Sequence, residues 1–163
     1  MRYVLPFFLL AVASPAHAQD CPPTFGQRVL QLLNQLRVEN NLNPFTVRPQ
    51  LVISAQRHSG DMAAKEFLEH DGSDGSTLMS RVDDTGYHWS TVSENIAAGQ
   101  PLPDSVVASW MRSPPHRANI LDASMKDIGI GYAVADDEYV HYWTADFAAT
   151  SSQPEVIVSG CHP

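Results

Sequence analysis

Asp127-Ile128-Gly129-Ile130-Gly131-Tyr132-Ala133-Val134 and Tyr139-Val140-His141-Tyr142-Trp143-Thr144-Ala145-Asp146-Phe147-Ala148 break with the helical pattern of the rest of the chain. Both are rich in β-branched and aromatic residues, and Ala135-Asp136-Asp137-Glu138 between them has turn chemistry, so they predict two strands joined as a hairpin. Everything upstream runs on a helical period. Residues 24–40 repeat Phe25, Val29, Leu32, Leu33 and Leu36 behind a capping Thr24, and Asn40-Asn41-Leu42-Asn43-Pro44 ends the run. A second helix over about residues 48–68 opens with Pro49 in its first turn and stripes Leu51, Ala55, His58 and Met62 along one face. His58 is therefore expected in the core. After the turn-rich His70-Asp71-Gly72-Ser73-Asp74-Gly75-Ser76, Ser76 or Thr77 caps a short helix from Leu78 to Asp84, ending near Gly86. Pro103-Asp104-Ser105 starts another helix through Trp110 and Met111; Ser113-Pro114-Pro115 breaks it and leaves His116 on a rigid loop or a single turn. Helices first and strands later argue for an α+β domain, with helices packed on an antiparallel sheet.

The two ends of the chain carry different information. Residues 1–18 hold a single charge at Arg2, an apolar run from Val4 to Val12 and the small-x-small pattern Ala16-His17-Ala18. This reads as a secretory signal peptide cleaved after Ala18, followed by a single domain over residues 19–163. The apolar run falls short of the ~20 residues that a spanning helix needs, and no later segment approaches that length, so no integral membrane segment is expected. Without residues 1–18, nine Lys and Arg face eighteen Asp and Glu. Such a surface repels phosphate backbones, which argues against a nucleic-acid partner. Cys21 and Cys161 lie near opposite ends of the expected domain. In the oxidising compartment that export implies, they read as a disulfide; two free thiols or a metal pair is the alternative.

Several motifs occur in order: Arg57-His58-Ser59-Gly60-Asp61-Met62, Glu69-His70-Asp71-Gly72, Ser93-Glu94-Asn95-Ile96-Ala97, Trp110-Met111-Arg112-Ser113-Pro114-Pro115-His116-Arg117, Asp127 to Tyr132, and Tyr142-Trp143-Thr144-Ala145-Asp146-Phe147. Together they resemble a bacterial member of the CAP superfamily, which includes cysteine-rich secretory proteins, antigen 5 proteins and plant pathogenesis-related class 1 proteins. The resemblance spans nearly all of residues 25–149 and implies an α-β-α sandwich. It also implies a central cleft in which two His and two Glu hold a divalent metal, often zinc. Matched by motif, these positions are His70, Glu94 and His116, with Ser113 standing where the family has its second Glu. That departure removes a negative charge and a candidate base.

Neutral imidazoles suit zinc or another divalent cation, and a carboxylate either ligates it or orients a metal-bound water. The alternative is that His70 and Glu94 form a hydrogen-bonded pair that stabilises the cleft while backbone groups hold His116. Ser113 and His116 with Glu94 superficially make a nucleophile, base and orienter. However, no Gly-x-Ser-x-Gly turn surrounds any serine, and Pro114-Pro115 leaves few backbone N–H groups for an oxyanion site. If catalysis occurs, a metal-activated water with Glu94 as base is the better mechanism. His88, His141 and His162 read as exposed or packing residues, and Trp110, Trp143, Tyr132 and Tyr142 as core. Asp71, Asp74, Asp83 and Asp84 read as solvated turns, since the twelve-residue calcium-loop pattern is absent. The expectation is a secreted or periplasmic, non-enzymatic domain whose cleft takes a divalent metal or small ligand, with that ligand or an extracellular protein as partner. A metal-dependent hydrolase acting on peptides or envelope polymers is the first alternative. A lipid or sterol carrier, which the resemblance allows, is the second.

Overall fold

A computed structural model describes residues 24–150. The expected signal peptide, the Cys21–Cys161 pairing and His162 lie outside the described residues. The first helix, α1 (Phe25–Glu39), begins at a reciprocal cap in which Gln27 N–H donates to Thr24 Oγ1 and Thr24 N–H donates to Gln27 Oε1. A two-residue strand β1 (Thr46–Val47) leads into α2 (Pro49–Lys65), where proline occupies the first turn as its missing N–H allows. Glu66 takes a left-handed backbone (φ 55°), so α2 ends three residues before the expected Leu68. The short helix α3 (Leu78–Asp83) follows, capped by Thr77. Next comes a strand that the sequence reading missed, β2 (Thr91–Ala98). The chain then forms α4 (Pro103–Arg112), α5 (Pro114–Leu121), β3 (Asp127–Val134) and β4 (His141–Ala149).

One expectation is corrected here. Pro114 and Pro115 end α4, but they also occupy the opening positions of a second helix, where neither needs an N–H partner, so His116 lies in the first turn of α5 and not on a loop.

The sheet order is β1-β3-β4-β2. β2, β4 and β3 are antiparallel as expected, while β1 adds a two-residue parallel pairing to β3, which makes the sheet mixed. Alternation along the strands sorts side chains onto two faces. Trp143, Ala145 and Phe147 of β4 join Val29, Leu33, Val106, Trp110 and Ile120 in one apolar cluster beneath α1, α4 and α5. On the opposite face α2 lies directly on β3: a Cβ at Gly129 would overlap the Leu51–Val52 peptide, and one at Gly131 would overlap the carbonyl of Ala55. Tyr142, Thr144, Asp146 and Ala148 of β4 point toward α2, with Tyr142 packed on Met62 and Ala148 on Leu51 and Val82. The result is an α-β-α sandwich. The core assignments hold for His58, Trp110, Trp143 and Tyr142, all buried, and Tyr132 packs half-buried against the larger cluster.

Candidate functional site

β2 is an edge strand, and the candidate residues gather around it. Glu94 pairs across the ladder with Asp146 and faces α2, whereas Asn95 pairs with Ala145 and faces α5. The strand thus carries a carboxylate toward the α2 layer and an amide toward the α5 layer. Glu94 is nearly sealed, its side chain 2% exposed, while that of His70 is 58% exposed.

His70 comes from the loop between α2 and α3, and α2 holds that loop in place. Asp61 accepts from Ser73 N–H at 2.7 Å and Ser73 Oγ–H at 2.6 Å, His58 Nε2 lies 2.9 Å from the carbonyl of Glu69, and Arg57 reaches Asp74 at 2.9 Å. The carbonyl can only accept, so His58 carries its proton on Nε2 and leaves Nδ1 as a buried lone pair without a partner. Burial lowers the proton affinity of His58, consistent with that neutral form. His70 Nδ1 stands 2.7 Å from Glu94 Oε1, and the Arg81 guanidinium, buried on α3, donates to Glu94 Oε2 at 2.7 Å. Its other terminal nitrogen donates to the carbonyl of Ser76 at 3.1 Å, tying α3 to the same loop.

The charges follow from this geometry. Burial disfavours ionisation of Glu94, but the His70 hydrogen bond and the Arg81 cation outweigh it and hold the carboxyl below its usual range. The hydrogen bond to Glu94 in turn raises the proton affinity of His70 against the opposing effect of partial burial. His116 is shifted the other way, lowered by burial and by the positive charge of His70.

His116 is positioned by two amides. Asn95 Nδ2 donates to the carbonyl of His116 at 3.0 Å, and Asn119 Nδ2, one turn later on α5, donates to Asn95 Oδ1 at 2.9 Å. These bonds pin α5 against β2. Ser113, at the junction of α4 and α5, caps neither helix with its side chain, and Glu94 bonds to His70 and not to His116. A linked Ser113, His116 and Glu94 triad is therefore not formed.

Among the described residues, no three His, Cys, Asp or Glu side chains converge closely enough to hold a metal ion. Both Glu94 oxygens are engaged, by His70 and Arg81, so of the three positions the family resemblance marks, the imidazoles of His70 and His116 are the donors left. Such a set fits an exchangeable cation and not a closed resident site, which takes four ligands. Asp83, Asp74 and Asp84 accept from Trp89, Arg57 and neighbouring backbone.

Sequence reasoning missed Arg81 and Asp146. Arg81 shares the inner stripe of α3 with Leu78 and Val82, and a charge at such a position calls for a buried partner. Asp146 falls in step with Tyr142, Thr144 and Ala148, all directed inward.

Residues 30–147 match the model of the CAP family, described as the cysteine-rich secretory protein family. The chain is 33% identical over 123 residues to the uncharacterized protein YkwD of Bacillus subtilis, covering 76% of this chain and 46% of YkwD. It also resembles the crystal structure of an extracellular protein containing a SCP domain from Bacillus anthracis, with a TM-score of 0.68 and 27% identity over 77% of this chain and 40% of that one. The chain thus spans less than half the length of these two relatives. An outer surface protein of Borrelia burgdorferi shares the fold at a TM-score of 0.69 and 20% identity, over 76% of this chain and 90% of its own. No helix among the described residues is long and apolar enough to cross a membrane. With the family model covering residues 30–147 and a relative one third identical across three quarters of this chain, the chain belongs to the CAP, or cysteine-rich secretory protein, family.

Proposed function

We propose that this CAP domain is an exported, non-enzymatic binding module that meets a small polar ligand or an exchangeable divalent cation through His70 and His116. The observation that carries this reading is the anchoring of His70. With Nδ1 committed to a buried, Arg-backed carboxylate, Nε2 is the ring nitrogen left for the cleft, as in histidines oriented by a second carboxylate behind a ligand site. Neutral, it offers a lone pair; protonated, it offers a donor and a charge. A divalent cation would be held by the two imidazoles, with its remaining positions left to water or ligand.

Hydrolysis is the less favoured reading because Glu94, paired twice and held below its usual range, is a weak base. Lipid carriage draws little support: the apolar hollows beside Leu30 and Ile130 and beside Leu36 and Val107 have about 190 and 270 Å³, below the ~300–1,000 Å³ of ordinary small-molecule pockets, and the groove of about 320 Å³ beside Met111 and Leu121 is flanked by Arg112 and Arg117. Export rests on residues 1–18 and on the extracellular and outer-surface relatives.

Titration calorimetry with zinc tests the cleft. Heat is expected for the native chain, reversible by chelator and abolished when His70→Ala and His116→Ala are combined; equal heats from both proteins discard the two-imidazole site. A turnover that chelation stops and Glu94→Gln abolishes would instead favour the hydrolase.

A further inference from the structure

Behind Glu94 lies a second carboxyl that the binding reading does not use. Asp146 is Glu94's direct cross-strand partner, on the same face of the sheet, and it is completely buried. Cross-strand partners on one face lie within side-chain reach, and two like charges there repel.

Every element packed around Asp146 contributes a named polar group or none. α2 supplies Ser54 and His58, α3 supplies Arg81, β2 supplies Glu94, and the β3 partner is Gly129. Arg81 is the one cation among these groups, and it is bonded to Glu94 and to the carbonyl of Ser76. His58 is neutral, its Nε2–H donating to the carbonyl of Glu69. Ser59 and Thr144, also on this face, bond to each other at 2.9 Å. Two sealed carboxyls therefore share one cation. Glu94 accepts two charge-assisted bonds, whereas Asp146 accepts no charged donor and has only the neutral hydroxyl of Ser54 beside it. A fully buried carboxylate without a cation or charged donor is among the most unfavourable arrangements in a protein interior, and it is relieved by holding a proton.

We infer that Asp146 is an un-ionised carboxylic acid whose O–H donates to Glu94, a positioning residue that braces the carboxylate on which His70 is anchored. Two carboxyl groups facing each other cannot bond unless one carries a proton, and the bonds from His70 and Arg81 decide that Glu94 is the ionised member. Burial and the adjacent Glu94 charge both push the proton affinity of Asp146 far above the carboxylate range, in line with the geometry. Asp146 lies on β4, one strand in from the edge strand that carries Glu94, so the inference stands or falls independently of what His70 and His116 bind.

Infrared spectroscopy of the full chain at neutral pH tests it. Exposed carboxyls are ionised there, so a carbonyl band of an un-ionised acid is expected in the native protein and should vanish in Asp146→Asn. The asparagine amide retains a donor of the same shape, so the ring ¹⁵N resonances of His70 should stay in place in Asp146→Asn and move in Asp146→Val, which has no donor. Absence of the acid band, its survival in Asp146→Asn, or equal displacement of His70 by both substitutions would overturn the assignment. If Asp146→Val fails to fold, the band and the Asn variant decide alone.

Discussion

The two faces of this four-stranded sheet are built from the same strands but follow different chemistry. Beneath α1, α4 and α5, every second residue of β4 is Trp143, Ala145 or Phe147, and the filling is almost wholly apolar. Beneath α2 and α3, the intervening residues bring Thr144 and Asp146 together with Ser54, His58, Ser59, Arg81 and Glu94, all buried. One face stabilises by removing apolar surface from water; the other needs each polar group answered by another. The candidate cleft grows from the second face because it alone presents a carboxylate at the edge strand. Among the described residues Arg37, Arg48 and Arg81 are buried, and Arg37 and Arg81 show the same contrast. Arg37 on α1 donates to the carbonyls of Asn43, Ile120, Asp122 and Met125, all at 2.7–2.9 Å, with its guanidinium 3.9 Å above the Phe45 ring. Arg81 instead answers a charge.

Replacing each arginine by methionine breaks the comparison most directly. Arg81→Met leaves Glu94 sealed without its cation and should destabilise the fold by about 3–5 kcal/mol at neutral pH. The loss should shrink on acidification, because a protonated Glu94 no longer needs a counter-charge. Arg37→Met should also be costly, but its hydrogen-bond partners are carbonyls and its charge is the smallest influence on the nearby Asp122, so its loss should depend on pH far less over the same range. Denaturant unfolding of both variants at several pH values measures this. Parallel pH profiles for the two would mean that the faces do not differ electrostatically as described.

Gly131→Ala examines how closely α2 sits on the polar face. A Cβ there meets helix backbone, which cannot rotate away, so α2 must lift from β3. A loss of about 3 kcal/mol is expected, at the upper end for overpacking, together with weakened zinc heats as the His70 loop follows α2. An unchanged melting temperature would contradict the close approach.

Much of this was legible in the sequence, and the failures concentrate on the polar face. Helices α1 and α2 declared themselves by apolar stripes and caps, and the β3–β4 hairpin by its period, because apolar burial leaves a repeating signal. β2 did not, since Glu94-Asn95-Ile96-Ala97 turns polar and apolar side chains inward alike and looks like a loop until Arg81 and Asn119 are known to meet it. His70, Glu94 and His116 were legible as a set only through family resemblance; their partners came from α3, β4 and α5, at separations no local pattern encodes. α5 was hidden by reading Pro114-Pro115 as an end when it is also a beginning.

Glu94→Gln sharpens the contrast through pH. The Glu94 carboxyl is held below its ordinary value, so its contribution is present above pH ~4.3 and is lost as pH falls through the lowered value. His70 is raised, so its contribution is complete below pH ~6.5 and is lost as pH rises through the raised value. The native chain should therefore exceed Glu94→Gln by most between about pH 4.3 and 6.5, by about 2 kcal/mol. The difference should shrink at lower pH, and should fall on the alkaline side to what the Arg81 bond alone contributes. A difference flat across both limits would separate His70 from Glu94. The His70 imidazole, followed by NMR, should lose its raised midpoint in the same variant.

The smallest effect is expected where the two faces are joined across β2. Asn119 Nδ2 bonds to Asn95 Oδ1 at 2.9 Å and approaches the carbonyl of Glu94 at 3.3 Å, while Asn95 in turn holds the His116 carbonyl. Asn119→Ala removes the outer link and should destabilise by only about 1 kcal/mol, the worth of a half-buried neutral hydrogen bond. Its effect on the cleft should be larger than its effect on stability, because α5 is then free to shift His116 relative to His70 while the Arg81–Glu94–His70 chain on the other face is untouched. Zinc heats should therefore fall while the His70 titration midpoint stays in place. If both readouts move together, the two imidazoles are coupled through the strand itself, and the separation of the faces argued from side-chain alternation fails at the edge where the site is built.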